Sequence, residues 1–323
     1  MVTAPADMAK GRTAAAARAT RRPFWQQIAA NKTLFLMFLP GLLLLMIFEY
    51  GSMWGLVIAF KDYNIGLGIW DSPWVGLKHF QTFFATPSVL QVLKNTLVIS
   101  VLKLACGLPA PIILALLINE LHAGIFKRFV QSVSCLPHFI SWVILSAMVY
   151  SLLSPSSGAV NGALRGLGLQ PIAFMTTPDW FRPILVLSNI WKEVGWGTII
   201  YLAALAGVGV DLYEAATIDG ASRLQRMRHI SFPALLPVIG IVVVLSLGGI
   251  LNAGFDQVFN LYNPRVQRVG DIIDTYVYRQ GLVGLEYSFT AAVGLFKSFV
   301  GLILVLVANQ IARRTSEGQY GLW

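Results

Sequence analysis

The chain has 323 residues, of which 56% are hydrophobic and 12% charged, with a formal net charge of +9 and a mean hydropathy of +0.67. A soluble protein carries about 25% charged residues, so this balance excludes a soluble globular protein and reads as an integral membrane protein. The basic residues flank apolar segments and do not form one solvated face, which sets nucleic acid aside as a partner.

Residues 1–33 are Ala/Arg-rich, with a short amphipathic helix expected around 24–30. Arg21-Arg22-Pro23-Phe24 loosely mimics a twin-arginine export signal. No cleavage site follows, however, and the apolar sequence continues into further spans. A helix needs about 20 mostly apolar residues to cross the hydrocarbon layer. On that measure six spans are predicted, at 34–60, 94–118, 129–153, 183–208, 234–260 and 287–311. Glu49 lies in the second half of the first, so that span is expected to end near it. The segments between spans at 61–93, 154–182 and 261–286 are too long for tight turns. Their Gly, Pro and aromatic content predicts packed short helices, a docking surface for an external partner.

Orientation follows from charge. Lys10, Arg12, Arg18, Arg21, Arg22, Lys32, Lys127, Arg128, Arg223, Arg226, Arg228, Arg313 and Arg314, 13 of the 24 Lys and Arg, fall on one side. Lys61, Lys78, Arg165, Arg182, Arg265, Arg268 and Arg279, seven in all, fall on the other. The bias predicts both termini in the cytoplasm. Cys106 and Cys135 lie in apolar runs and read as small buried hydrophobes. His79, His122, His138 and His229 have no ligand spacing, so no metal site is expected. No G-x-x-x-x-G-K-[ST] is present, so the chain is not expected to bind ATP itself. Gly166-Leu167-Gly168 and Gly207-Val208-Gly209 do not extend into a dinucleotide fingerprint.

Polar residues at membrane depth face the protein interior or a watery cavity, since a charge there costs about 2.5–3.5 kcal/mol on insertion scales. In the second span Asn95 and Lys103 share a face two turns apart. Lys103 either lines a path or is structurally paired. In the fourth span Asn189, Glu193 and Trp196 form one stripe, with Lys192 beside it. These charges pair with neighbours or face solute, and the indole either packs or receives the flat face of a sugar ring. In the fifth, Ser246, Gly249, Asn252 and Asp256 are predicted on one helical face, which permits a cavity wall or close helix packing. The sixth carries one isolated charge, Lys297. Three cations (Lys103, Lys192 and Lys297) against Glu193 and Asp256 point to a pathway that favours an anionic solute.

Between the fourth and fifth spans lies a polar island, Glu214-Ala215-Ala216-Thr217-Ile218-Asp219-Gly220-Ala221-Ser222, followed by Arg223 and closed by Ile230-Ser231-Phe232-Pro233. It reads as a short cytoplasmic helix-turn-helix whose small residues let another backbone come close. It resembles the signature loop of type I ABC importer permeases: Glu-Ala-Ala, Gly four positions on, then Ile-x-Leu-Pro, with Phe232 in place of Leu. Leu39-Pro40-Gly41, Ile58-Ala59-Phe60-Lys61-Asp62-Tyr63-Asn64, Trp74-Val75-Gly76-Leu77-Lys78-His79-Phe80, Asp274-Thr275-Tyr276-Val277-Tyr278-Arg279 and Gly321-Leu322-Trp323 resemble the branch that imports polysaccharides and complex oligosaccharides. Within it the chain most resembles permeases for alginate, a polyuronate.

The resemblance implies an all-α protein of six transmembrane helices with both termini cytoplasmic, in the bacterial cytoplasmic membrane. Residues 1–33 would form a cytoplasmic segment, 34–311 the permease domain with a coupling loop at 209–233, and 312–323 a cytoplasmic tail. It implies a second, homologous permease, two ATPase subunits that carry ATP and Mg, and an external solute-binding protein. There would be no catalytic residue and no cofactor in this chain. Glu214, Ala215, Ala216, Asp219, Gly220 and Arg223 would contact the ATPase, and Ser246, Gly249 and Asn252 would contact solute. A six-span secondary transporter or channel is the alternative, and it has no need of the Glu214 loop.

Overall fold

The computed structural model describes residues 31–122 and 124–315. The expected helix around 24–30, the basic residues before position 31 and Gly321-Leu322-Trp323 lie outside them. Among the described residues the regular elements are helices, and the β-type pairing is an isolated antiparallel bridge between Lys61 and Trp74. Four helices are long and apolar enough to cross a membrane: α1 (Lys32–Phe60), α2 (Pro87–Asn119), α7 (Arg223–Gly248) and α9 (Tyr287–Thr315). Two bent pairs add to these, α3 (Ile125–Phe139) with α4 (Trp142–Leu153), and α5 (Pro178–Ala206) with α6 (Val210–Ile218). The fold is therefore all-α and multi-pass, with four to six spans by length and composition.

The chain divides into two compact units, residues 1–56 and 57–323. In the first, none of the side chains from Lys32 to Leu56 is buried, as suits a helix that is apolar all round. A π turn at Met46–Tyr50 carries the helix straight past Glu49, where it was expected to stop. In the second unit the longer segments between spans hold the expected short helices, among them Lys78–Ala85, Ala159–Gly166 and Ile273–Val277.

Three expected spans are revised. Helix α2 begins at Pro87, not 94, because Pro at its first position costs no hydrogen bond. The 129–153 span is broken at residues 140–141 and bent by 99°. Ser141 starts α4 anew, its hydroxyl accepting from the Ile144 amide at 3.4 Å. The 234–260 span is not one helix. It ends at Gly248, passes through 249–254, and resumes as α8 (Phe255–Leu261). Gly248-Gly249 weakens the helix, and Gly254 takes a φ of 91° that an L side chain resists.

Apolar packing is divided along α2. Towards its N-terminal end Ile99 packs with Phe181, Leu185, Val258, Leu261 and Ile272, while Val89 and Val92 pack with Phe83, Leu251, Ile273 and Phe289. Towards its C-terminal end Ile112 and Ala115 pack with Tyr201, Leu205 and Leu235. Helices α3 and α5 touch backbone to backbone: a Cβ on Gly195 would lie 2.0 Å from the Ser134 carbonyl oxygen. Between the clusters polar side chains such as Lys103, Asn189 and Glu193 stand among apolar ones.

Candidate functional site: an interhelical cavity and a helix-turn-helix

An open cavity of ≈ 470 Å³ is bounded by α2, α5, α7 and the unwound stretch 249–254. Seven of the predicted pathway residues line it: Lys103, Asn189, Glu193, Trp196, Ser246, Gly249 and Asn252. The stripe Asn189–Glu193–Trp196 is where its spacing put it. Ser246, Gly249 and Asn252 also converge, but through the break in the chain and not along one helical face. Asp256 belongs to α8, is exposed, and leaves the group.

The three lysines have different surroundings. Lys103 lines the cavity, and its ammonium donates to the Ala253 carbonyl at 2.6 Å, supplying a partner that the broken helix lacks. A Cβ on Gly254 would stand 2.9 Å from that ammonium. Lys192 is buried and turned away from the cavity. It donates to the carbonyls of His138, Ile140 (2.7 Å) and Pro137 (3.5 Å), and lies 5.7 Å from the Trp142 ring centroid. It therefore closes the break between α3 and α4. Lys297 pairs with Asp274, and both border a second cavity of ≈ 650 Å³ that Asn252 also reaches.

Glu193 accepts a hydrogen bond from His138 Nδ1 at 2.9 Å. The His138 ring stacks on Trp196, with centroids 4.5 Å apart and planes 3° from parallel. Sequence reasoning passed over His138, which lies 55 residues from Glu193. Pro137 and the N-cap Ser141 were the available signals that the chain turns there. Ser100, Tyr201 and Gln257 also line the cavity and were not predicted. Ser100 Oγ, Tyr201 OH and Gln257 Oε1 are buried without a protein hydrogen-bond partner. Such groups are costly unless a small rearrangement or a polar ligand satisfies them.

Asn95 does not share the surroundings of Lys103. It is fully buried, donates to the Arg268 and Asp271 carbonyls at 3.1 Å each, and accepts from Arg182 at 2.9 Å. It belongs to a network completed by the Asp271–Arg279 ion pair at 2.6 Å. The hydrogen bond to Asp271 raises the Arg279 guanidinium above its ordinary value.

At the far end of α5, α6 carries Glu214 and Ala215 exposed, with Ala216 half-buried. Asp219 and Gly220 form the turn, and Gly220 has a φ of 80°, which accounts for glycine there. Ser222 opens α7 with a capping box: its amide donates to Gln225 Oε1 at 2.7 Å and its hydroxyl accepts from the Gln225 amide at 3.4 Å. Arg223 is exposed in the first turn of α7. Arg226, not among the predicted residues, donates to Thr217 Oγ1 at 2.7 Å and pairs with Glu120 at 3.5 Å. It ties α6 to α7 and both to the end of α2. Leu212, Ile218 and Leu224 are exposed beside the charges, an apolar surface with a charged rim. Among the described residues no group of His, Cys, Asp and Glu could hold a metal ion.

The pattern of the family described as "Binding-protein-dependent transport system inner membrane component" matches residues 107–317. The chain is 47% identical over 291 residues to the polygalacturonan/rhamnogalacturonan transport system permease protein YteP of Bacillus subtilis (strain 168), covering 90% of this chain and 91% of that protein. It is 46% identical over 287 residues to protein LplB of the same organism, covering 89% and 90%. Among solved structures, a chain of a bacterial alginate ABC transporter, in complex with an alginate pentasaccharide-bound periplasmic protein, superposes with a TM-score of 0.83 at 41% identity. That match covers 92% of this chain and 99% of that one.

Proposed function

The chain belongs to the family of binding-protein-dependent transport system inner membrane components and is the transmembrane permease subunit of an ABC importer; on that premise we propose that it passes an acidic oligo- or polysaccharide through the cavity between α2, α5 and α7 by alternating access. It is a translocation subunit and does no covalent chemistry. ATP and Mg belong to two ATPase subunits, a second homologous permease completes the membrane channel, and a soluble binding protein delivers the solute. The likeness to a complete alginate importer and to a polygalacturonan/rhamnogalacturonan permease supports this set of partners and this class of solute. Family membership sets aside the secondary transporter and the channel.

The observation that carries the reading is the cavity itself. Neutral polar groups (Asn189, Asn252, Ser246, Ser100) and two indoles (Trp142 and Trp196) converge from separate helices and the unwound stretch. Sugar rings are held in this manner, by hydroxyl hydrogen bonds and by stacking on a flat apolar face. Six spans with both termini cytoplasmic, taking α3–α4 as one bent span and α5 as another with α6 beyond its end, agree with the 13-to-7 distribution of Lys and Arg. This orientation puts 1–33, the loop 209–233 and 312–323 on the ATPase side. Glu214, Ala215, Ala216, Asp219, Gly220 and Arg223 then face the ATPase, with Leu212 and Ile218 as the apolar part of the contact. When the partners bias one of two packings, the spans rock between inward-open and outward-open forms.

The test is the complete importer, reconstituted with its binding protein and assayed for solute-stimulated ATP hydrolysis and uptake across matched neutral and acidic oligosaccharides. Stimulation by oligouronides is expected, and stimulation by neutral sugars alone would refute the solute class. Glu214→Lys should leave the permease in the membrane and abolish the coupling of hydrolysis to uptake. Normal uptake at normal ATP turnover would remove the loop from the ATPase contact.

A further inference from the structure

The cavity presents a difficulty for an acidic cargo. Glu193 is the one acidic residue among those lining it and Lys103 the one basic residue. The Lys103 ammonium already donates to the Ala253 carbonyl. A polyanion in the cavity would therefore face a carboxylate, in a partly desolvated space where like charges repel more strongly than in water. The structure holds a counterweight behind the wall. His138 does not line the cavity, yet its Nδ1 lies 2.9 Å from Glu193 Oε2. An ionised carboxylate can only accept, so Nδ1 carries the proton of that bond.

Two features hold the ring in this position. Trp196 stacks flat against it, and Phe139 approaches both rings edge-on. Lys192 binds the carbonyl of His138 itself and that of Ile140, fixing the backbone at the bend. Glu193 from α5 is the acid that His138 meets, and Lys192 is the cation beside it.

We infer that His138 sets the charge preference of the pathway: by donating to one oxygen of the Glu193 carboxylate it fixes that group at the wall and weakens the repulsion it exerts, so that an acidic saccharide passes where an unbonded glutamate would repel it more strongly. His138 is a positioning residue, acting on solute only through Glu193 and Trp196. This inference rests on the acidic-solute reading above.

The experiment uses the whole importer in proteoliposomes, with an oligogalacturonate and the same oligomer as its methyl ester for probes. The acid-to-ester ratio of uptake, compared between permease variants, cancels the contribution of the binding protein. His138→Phe keeps a flat ring against Trp196 and removes the donor. It should lower the ratio about tenfold, with the ester still carried. His138→Phe with Glu193→Gln should restore the ratio, since no charge remains to be withdrawn. His138→Asn keeps a donor near the Nδ1 position without the stack and should hold the wild-type ratio. Should it instead lose the ratio as fully as His138→Phe, the donor to Glu193 is not what sets the ratio and the proposal is overturned. An unchanged ratio in His138→Phe, or no recovery in the double variant, overturns it as well. A wild type that carries the ester and not the acid sinks the solute reading instead, a result visible before any variant is made.

Discussion

Two helices of the membrane region are interrupted, one after Phe139 and one after Gly248, and in each case a lysine from a different helix binds the freed carbonyls. In lipid such carbonyls have no water to turn to, so interruption requires a substitute donor. The first break is closed three times over. Lys192 is buried, reaches Pro137, His138 and Ile140, and lies near the Trp142 ring. The second is closed once, by Lys103 on Ala253, beside a glycine at positive φ and open to the cavity. The same chemistry thus makes a fixed corner in one place and a loosely held wall in the other. The lysines that sequence alone suggests as pathway cations are for the most part backbone donors.

Lys192→Met should have the largest effect. It leaves the part-buried carbonyls of His138 and Ile140 unpaired, at about 1–3 kcal/mol each, and is expected to lower stability by about 3 kcal/mol in thermal unfolding of the purified complex. A melting point equal to wild type would erase the distinction between the two corners. Gly254→Ala comes next, at about 2 kcal/mol, from the left-handed backbone together with the approach to Lys103. In a Lys103→Met background part of that cost should disappear, and strict additivity would show that the side chain and the glycine do not press on each other. Lys103→Met alone should cost about 1 kcal/mol, since the single carbonyl it frees borders an open cavity. Its larger consequence should be a changed ranking of solutes in uptake assays. A Lys103 variant that melts early but ranks solutes as wild type would make the two lysines equivalent. Glu120→Gln, away from both breaks, serves as the reference. It should cost about 0.5 kcal/mol, since the ion pair is long at 3.5 Å and a glutamine oxygen still accepts from Arg226, and alter the ratio of uptake to ATP hydrolysis more than stability.

How much of this was legible depends on the range over which each feature is decided. The helix-turn-helix at 210–226 was readable because its signals are local: Gly220 where φ must be positive, and Ser222 three residues before Gln225. The stripe Asn189–Glu193–Trp196 was readable because α5 is an unbroken helix and spacing fixes its face. The fifth span misled for the converse reason. Its Gly248-Gly249 pair suits close packing as well as a break, and only the partner 150 residues away, Lys103, makes the break tolerable. Asn95 and Lys103 share a helix face yet serve different neighbours, because the segments that bury Asn95, at 268–271 and Arg182, arrive from far along the chain. Lys192 could be foreseen as buried and paired. That its partners are carbonyls could not, since the bend that turns them towards it is tertiary.

Helix α5 runs unbroken for 29 residues from Pro178, past Arg182 in the Asn95 network and then Glu193 and Trp196, to the bend that leads into α6. At 1.5 Å per residue it is a rod about 43 Å long, so a tilt of about 5° about its middle displaces each end by about 2 Å. It is also wedged against α3 at Gly195, where backbone meets backbone and no side chain can yield. This is the geometry of a lever with its fulcrum near the middle. On the proposed coupling role, a small push on the loop beyond Ala206 would swing the opposite end, and the wall of the cavity would turn with the bar instead of being rebuilt.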